Sequence, residues 1–259
     1  MSEAGNPQVR YQVEVAGPEQ IVAVQRLRYR IFARELGAKL PHAEEQLDRD
    51  EFDPHCEHLI VRDLTTGRIV ASTRVLNEAG ASRTGRFYSG SEFSLENILT
   101  LPGRRVEIGR TCVDPAYRNG AVIATLWQGI GQLIGEQGVD YLFGCASVSL
   151  AGGREYAEAI IRQIMKKHLA PENLRVRPLH ALPQLDSRLD DVVPRMPPLL
   201  RTYINLGAKA CGEPCWDPEF GVADVFMLLD LRQLNPRFAR HFLPTLVPPA
   251  TAGPRVAWA

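Results

Sequence analysis

The sequence predicts an α/β fold, a twisted mixed sheet with helices on both faces, and three observations carry that expectation. Strand-like and helix-like segments alternate along most of the chain. Residues 59–62 and 68–76 are apolar, β-branched runs joined through Thr65-Thr66-Gly67, the signature of an antiparallel hairpin. Tyr141-Leu-Phe-Gly-Cys-Ala146 is almost continuously apolar, as a strand buried on both faces must be.

Taken in order, residues 11–15 alternate cleanly and read as a first strand. Pro18 opens a helix to about Leu36, with Ile21, Val24, Leu27 and Ile31 on its apolar stripe. An acidic loop, 44–53, leads into the hairpin. A short segment, 94–99, precedes a strand through Glu107, and the sheet is expected to splay there. Residues 121–137 place Ile123, Leu126, Trp127, Ile130 and Ile134 at helical spacing, and 154–169 is a second amphipathic helix. Six prolines between 171 and 198 predict loop. Residues 199–206 form a short helix stopped by Gly207, and 225–231 a closing strand. One domain is expected over 10–243, its C-terminal part an elaboration capping the sheet, followed by a loose Pro-rich tail over 244–259.

Composition excludes several classes. Thirty basic and 30 acidic residues balance, so no global charge argues for nucleic acid. The N-terminus lacks an apolar signal core. The longest apolar stretch, 121–135, is interrupted by Gln128 and Gln132 and is too short to span a bilayer. Five cysteines at irregular spacing do not make a disulfide framework. A cytoplasmic protein is expected.

The chemistry concentrates in Arg104-Arg-Val-Glu107-Ile-Gly109-Arg110-Thr-Cys-Val113. A buried strand should carry neither a Glu nor an Arg, and three residues apart they point to opposite faces of a regular pleat. A β-bulge at Gly109 brings both to one face. Arg28 and Phe32 share a helical face one turn apart. Asp50 and Asp53 lie in the acidic loop, Arg74 inside an apolar strand where a guanidinium needs a partner, and Phe93 just before the Glu107 strand.

This ladder, Arg-x3-Phe, Asp-x2-Asp, a strand Arg and Glu-x2-Arg, resembles the acyl-homoserine-lactone synthases, a branch of the GNAT acyltransferase fold. The sequence is more similar to the ornithine-lipid N-acyltransferases, the OlsB type once labelled hemolysin-like. The matching stretches are 27–37, 50–58, Glu107-Ile-Gly-Arg-Thr-Cys-Val-Asp-Pro-Ala-Tyr-Arg118, Leu206-Gly-Ala, Cys211-Gly-Glu-Pro214 and 234–242, together spanning about 10–243. The resemblance implies a GNAT-like domain that moves a 3-hydroxyacyl chain from acyl carrier protein to the α-amine of L-ornithine, giving lyso-ornithine lipid. It implies no permanently bound cofactor and no metal; acyl carrier protein with its 4′-phosphopantetheine arm is co-substrate and partner. Because the product is an amphiphile, peripheral contact at the inner membrane face goes with it.

The resemblance also assigns roles. Glu107 orients the amine and takes its proton, Arg110 belongs to the same centre, and Tyr203 protonates the leaving thiolate. Arg28, Phe32, Asp50, Asp53, Arg74 and Phe93 line the substrate site, the two Asp meeting the side-chain ammonium of ornithine and Arg74 or Arg110 its carboxylate. Arg118, Asn119 and Gly120 with the opening of the next helix hold the pantetheine phosphate. Two departures stand out. No Trp follows the Arg-x3-Phe helix between Arg34 and Leu40, which weakens an S-adenosylmethionine-using reading. The pyrophosphate loop survives only as Arg118-Asn-Gly-Ala-Val-Ile123, which weakens a coenzyme A one.

Plainer readings stand beside these. Glu107 and Arg110 also fit a buried salt bridge that fixes the bulge, and Asp50 and Asp53 fit loop caps. Arg74 and Arg28 can snorkel to solvent. His55-Cys56-Glu57-His58 is too tightly spaced for a standard zinc site. Arg154, Arg162, Lys166 and Lys167 on one helix suit an acidic carrier protein or a solvated face. The alternatives to an ornithine acyltransferase are a lactone synthase, a coenzyme-A-dependent N-acetyltransferase, and a non-catalytic module that binds an acyl chain or carrier protein.

Overall fold

The computed structural model describes residues 10–183 and 194–246. In chain order its strands are β1 (Tyr11–Val15), β2 (Glu57–Asp63), β3 (Ile69–Asn77), β4 (Phe93–Ser94), β5 (Arg105–Val113), β6 (Tyr141–Ser149), β7 (Arg177–Pro178), β8 (Lys209–Ala210), β9 (Cys215–Asp217) and β10 (Val222–Asp230). Its α-helices are α1 (Ile21–Tyr29), α2 (Glu78–Thr84), α3 (Glu96–Leu99), α4 (Gly120–Glu136), α5 (Arg154–His168), α6 (Pro198–Leu206) and α7 (Pro236–Phe242). The main sheet runs β1-β2-β3-β5-β6-β10-β8, with β9 also on β10; β4 and β7 form a small separate ladder. Every pair in the main sheet is antiparallel except β5–β6, which α4 connects as a parallel crossover.

The parallel pair is short. Its register covers Arg105↔Tyr141, Val106↔Leu142 and Glu107↔Phe143 and then stops, while β6 stays paired to β10 as far as Val222↔Ser149. Beyond Glu107 the two strands part, which opens the sheet. Gly144 sits at the fork: a Cβ there would collide with the Ile108 carbonyl oxygen, so only glycine lets the backbones approach so closely before they diverge.

The larger core lies between one sheet face and α4, α5, α6 and α7, around Trp127, Ile130, Val225 and Met227. A second core covers the other face under α2 and α3, around Phe143, Phe226, Phe93 and Ile98. A third, small cluster joins Leu27 of α1 and Ile31, just beyond its end, to Cys112. Helices therefore cover both faces, as the alternation of elements predicts.

Several elements differ from expectation. The first helix is α-helical only to Tyr29 and then widens into a π-helical turn, Arg30–Glu35. α2 carries Gly80, a poor helix former, but Asn77 caps its N-terminus by accepting from the Gly80 N–H. α7, β8 and β9 are too short to announce themselves by periodicity. The 171–198 stretch is mostly irregular where described, and the tail over 247–259 lies outside the described residues.

Candidate active site

The bulge in β5 lies one residue beyond its expected place. Between Ser72↔Cys112 and Arg74↔Gly109 the single residue Thr73 faces both Arg110 and Thr111, and Arg110 takes the left-handed φ of +51°. Gly109 keeps an ordinary backbone. The consequence is the expected one: Arg110 turns to the Glu107 side of the strand, where Tyr88 touches both. The Tyr88 N–H donates to Glu107 Oε2 (2.6 Å), and Arg110 Nη1 donates to the Tyr88 hydroxyl (3.1 Å).

Glu107 and Arg110 do not pair with each other. Glu107, 3% exposed, also accepts from the Ser89 N–H (2.8 Å) and the Ser89 hydroxyl. Burial pushes its pKa above the ordinary carboxylate range, only partly offset by these donors. Arg110 lies between the rings of Tyr88 and Phe220, its guanidinium carbon 4.8 and 4.7 Å from their centroids. Its Nε is buried without a hydrogen bond among the described residues, and its ion pairs to Asp48 and Asp50 are long, 3.4 and 3.5 Å.

Most of the other predicted substrate residues are committed to one another. Arg28, 1% exposed, donates through Nε to Asp48 (3.0 Å) and through both terminal nitrogens to Asp53 (3.0 and 2.8 Å). Arg74 Nη1 donates to Asp50 (2.6 Å) and Asp53 (2.9 Å), and Gln25 supplies Asp53 with a further donor (3.0 Å). Although burial favours the protonated acid, Arg28 and Arg74 hold the Asp53 pKa at about 2. Arg74 does not snorkel; it is buried and partnered. Asp53 and Arg28, expected to meet the substrate, are engaged with each other here: both oxygens of Asp53 are occupied, and an ammonium there would meet guanidinium groups. Asp48, which the sequence pattern did not single out, is part of the same network. Phe93 is also displaced from its expected role, since it packs on Phe226 (5.7 Å between centroids) in the second core.

Where β5 and β6 part lies a cavity of about 230 Å³. Glu107, Arg110, Arg74, Phe32 and Tyr203 all line it. Strand alternation explains a further set: Cys145 and Ser147 on β6 lie opposite Phe226 and Asp224 on β10, on the same sheet face as Glu107. Asp224 therefore reaches this cavity, and Glu92, directly after the Tyr88–Ser91 turn, and Asp217 at the end of β9 join it. None of these three acids was singled out from the sequence. The signal was there in Asp224, a lone charge in an apolar strand that the predicted boundary at Val225 left outside.

Tyr203 is 7% exposed and packs edge-on against Trp127 at 5.2 Å. Burial raises its pKa, so the phenol stays protonated. A second hollow of about 620 Å³, mostly apolar, adjoins the first and shares Phe32, Leu36, Thr111, Pro197 and Leu199 with it. Arg118, Asn119 and Gly120 stand at its wall. Arg118 is engaged by Glu35 (2.6 and 2.7 Å), and Asn119 Oδ1 caps the Ala121 and Val122 N–H groups at 3.1 Å each. The helix opening is thus less free for a phosphate than its sequence implies. Among the described residues, His42/Glu44/Glu45 and Glu92/Asp217/Asp224 are groups close enough to hold a cation.

Comparison with known proteins places this geometry. Residues 27–128 match the acetyltransferase (GNAT) domain family. Among solved structures, FeeM, an N-acyl amino acid synthase from uncultured soil microbes, superposes with a TM-score of 0.51 at 11% identity, covering 91% of this chain and 96% of that one. BjaI, a CoA-dependent acyl-homoserine lactone synthase, superposes with a TM-score of 0.52 at 14% identity, over 92% and 87%. These share the fold. In sequence, the chain is 33% identical to the L-ornithine N(alpha)-acyltransferase of Rhodobacter capsulatus over 90% of this chain and 94% of that protein. It is also 33% identical to that of Rhizobium meliloti, over 86% and 80%. With this identity along nearly the whole length, the chain belongs to the L-ornithine N(alpha)-acyltransferase family and is a GNAT-fold acyltransferase.

Proposed function

We propose that the protein transfers a 3-hydroxyacyl chain from acyl carrier protein to the α-amine of L-ornithine, forming lyso-ornithine lipid. The observation that carries this is the cavity at the fork of β5 and β6, where a buried carboxylate and a half-satisfied guanidinium converge beside an apolar hollow. Arg110 receives the ornithine carboxylate, since its Nε is buried without a hydrogen bond among the described residues and its ion pairs to Asp48 and Asp50 are long. Glu107 orients the neutral amine through Oε2, which accepts only from the Tyr88 N–H and keeps a lone pair, while Oε1 is filled by the Ser89 N–H and hydroxyl. Its raised pKa suits a proton acceptor.

The amine nitrogen attacks the thioester carbon, the N–C bond forms, and the C–S bond breaks as the proton passes to Glu107 directly or through water. The β5 edge beyond Glu107 has no β6 partner, so backbone N–H groups there can meet the developing oxyanion. Tyr203 gives its proton to the departing thiolate, and the proton taken up by Glu107 returns to Tyr203 through water as the products leave, which restores both groups. No acyl-enzyme is formed; the cysteine nearest the centre, Cys145, is held protonated by burial. The apolar hollow accepts the pantetheine arm and acyl chain, with a phosphate reaching Arg118 in exchange for Glu35. Lys166 and Lys167, exposed on α5, suit an acidic carrier surface. No helix among the described residues is long and apolar enough to cross a membrane, so membrane contact in this reading is peripheral.

Mass spectrometry of products tests the reading. Purified protein is given 3-hydroxyacyl carrier protein or acetyl-coenzyme A, each with a panel of amino acids and S-adenosylmethionine. Hydroxyacyl-ornithine formed from the carrier protein alone is the expected result; an acetylated amino acid or a lactone overturns it.

A further inference from the structure

We infer that Glu92, Asp217 and Asp224 form the subsite that receives the side-chain ammonium of the acceptor amino acid and so set the preference for a basic substrate. The inference rests on the reading of ornithine as acceptor and names the residues that recognise its second amine. One ligand atom from each of the three lies within 4.8 Å of the others. All three line the cavity that also holds Glu107 and Arg110. No lysine or arginine forms an ion pair with any of them among the described residues, unlike Asp48, Asp50 and Asp53. Their existing partners are neutral. Asp224 accepts from the Ser147 hydroxyl (2.7 Å), and Asp217 from the Glu219 and Phe220 N–H groups (2.8 and 3.0 Å).

The observation that points to a ligand is Glu92. The residue is 9% exposed, and among the described residues its Oε2 is buried with no hydrogen-bond partner. A carboxylate oxygen left bare in a cavity wall is costly unless a ligand supplies the missing donor. Three acids facing one space call for a cation, and a primary ammonium brings three donors to them. The placement fits the rest of the site. Glu92 directly follows the Tyr88–Ser91 turn that grips Glu107, so one segment ties the side-chain subsite to the group that orients the α-amine. Empty, the subsite resists ionisation: burial first, and then Asp224 and Asp217, push the Glu92 pKa up to about 8. Burial with Asp217 brings Asp224 to about 6, against the Ser147 bond and Arg110. Cys145 and Glu107, the other titratable groups facing Glu92, add no positive charge. An arriving ammonium therefore displaces a proton.

The test compares ornithine with norvaline, which has the same chain without the second amine, as acceptors for the wild type, Glu92→Gln and Asp224→Asn. KM for ornithine is expected to rise at least about tenfold in either variant, the loss of one charge-assisted hydrogen bond, with kcat at saturation within about threefold. The preference over norvaline should collapse, and Glu92→Asp should restore much of it. Calorimetry on the wild type in two buffers of different ionisation heat gives a readout independent of variant folding: more proton release near pH 7 on binding ornithine than on binding norvaline. Unchanged ornithine KM and preference in both variants, or equal proton release with the two ligands, overturns the subsite while leaving ornithine acylation standing. A wild type that acylates norvaline as well as ornithine overturns the reading beneath it as well. Binding of Mg2+ or Ca2+ to the free protein that Glu92→Gln abolishes assigns the acids to a metal instead.

Discussion

Glu107 is held from one side by the Tyr88 and Ser89 N–H groups and the Ser89 hydroxyl, so its position does not depend on the substrate. Preorganisation of this kind makes its removal costly to the chemical step and also to folding, because glutamine keeps the shape but turns its amide nitrogen toward one of the two buried backbone N–H donors. Glu107→Gln is expected to lower kcat by about 10²–10⁴-fold, the usual weight of a positioned base, and the melting temperature by about 2–6 °C. Steady-state kinetics beside a thermal melt checks this; a variant with full kcat would make Glu107 a structural anchor for the Tyr88–Ser91 turn. Both Glu107 and Arg110 were legible as misfits in an apolar strand. Asp48 and Glu92 were not, because an acid in a loop looks the same whether it is solvated or buried, and only tertiary packing removes the water.

At the scale of elements, the decisive feature is the fork. β5 and β6 pair for three residues and part at Gly144, whose missing Cβ lets Ile108 come close. Gly144→Ala forces either the two backbones apart or β5 out of register with β3. The expected cost is about 1–3 kcal/mol, as for other overpacked sites, together with a loss of activity larger than that of a matched destabilising change elsewhere in the sheet. Urea unfolding and initial rates on the same sample measure both. Activity that simply follows stability would mean that the fork's width does not matter. The π-helical turn after α1 carries Phe32, Leu36 directly follows it, and both line both hollows. The sequence signalled a helix over this whole stretch, because apolar spacing constrains the face a helix buries and not its winding.

Across the whole molecule, two groups of acids set opposite pH dependences. Asp53 has its pKa lowered from 3.8 to about 2, so its contribution to stability is complete above about pH 4 and is lost as pH falls towards 2. Glu92 is raised from 4.5 to about 8, so the folded state binds its proton more tightly and stability declines as pH rises from 4.5 to 8. A melting-temperature profile without ligand should therefore fall on both sides of pH 4–5. Glu92→Gln should flatten the alkaline limb and raise the melting temperature at pH 8 by about 2–6 °C. An alkaline limb unchanged in this variant would show that Glu92 is not strained in the empty protein. The cost of holding these acids together is then a property of the binding site, offset when a cation arrives.

Local sequence determined the sheet and its helices, because alternation, helical spacing and the Pro and Gly breaks act within a few residues. It also marked Glu107, Arg110 and Arg74, since a charge inside an apolar strand conflicts with burial wherever the strand ends up. Tertiary structure alone decided how the charges divide. Asp53 and Arg28, which look like ligands for a substrate, neutralise each other with Asp48 inside the fold. Glu92, Asp217 and Asp224, 132 positions apart at their extremes, meet in the cavity with no ion-pair partner among the described residues. Charge pairing acts through space over a few ångströms, and no spacing along the chain records which acid will find an arginine and which will be left facing a cavity.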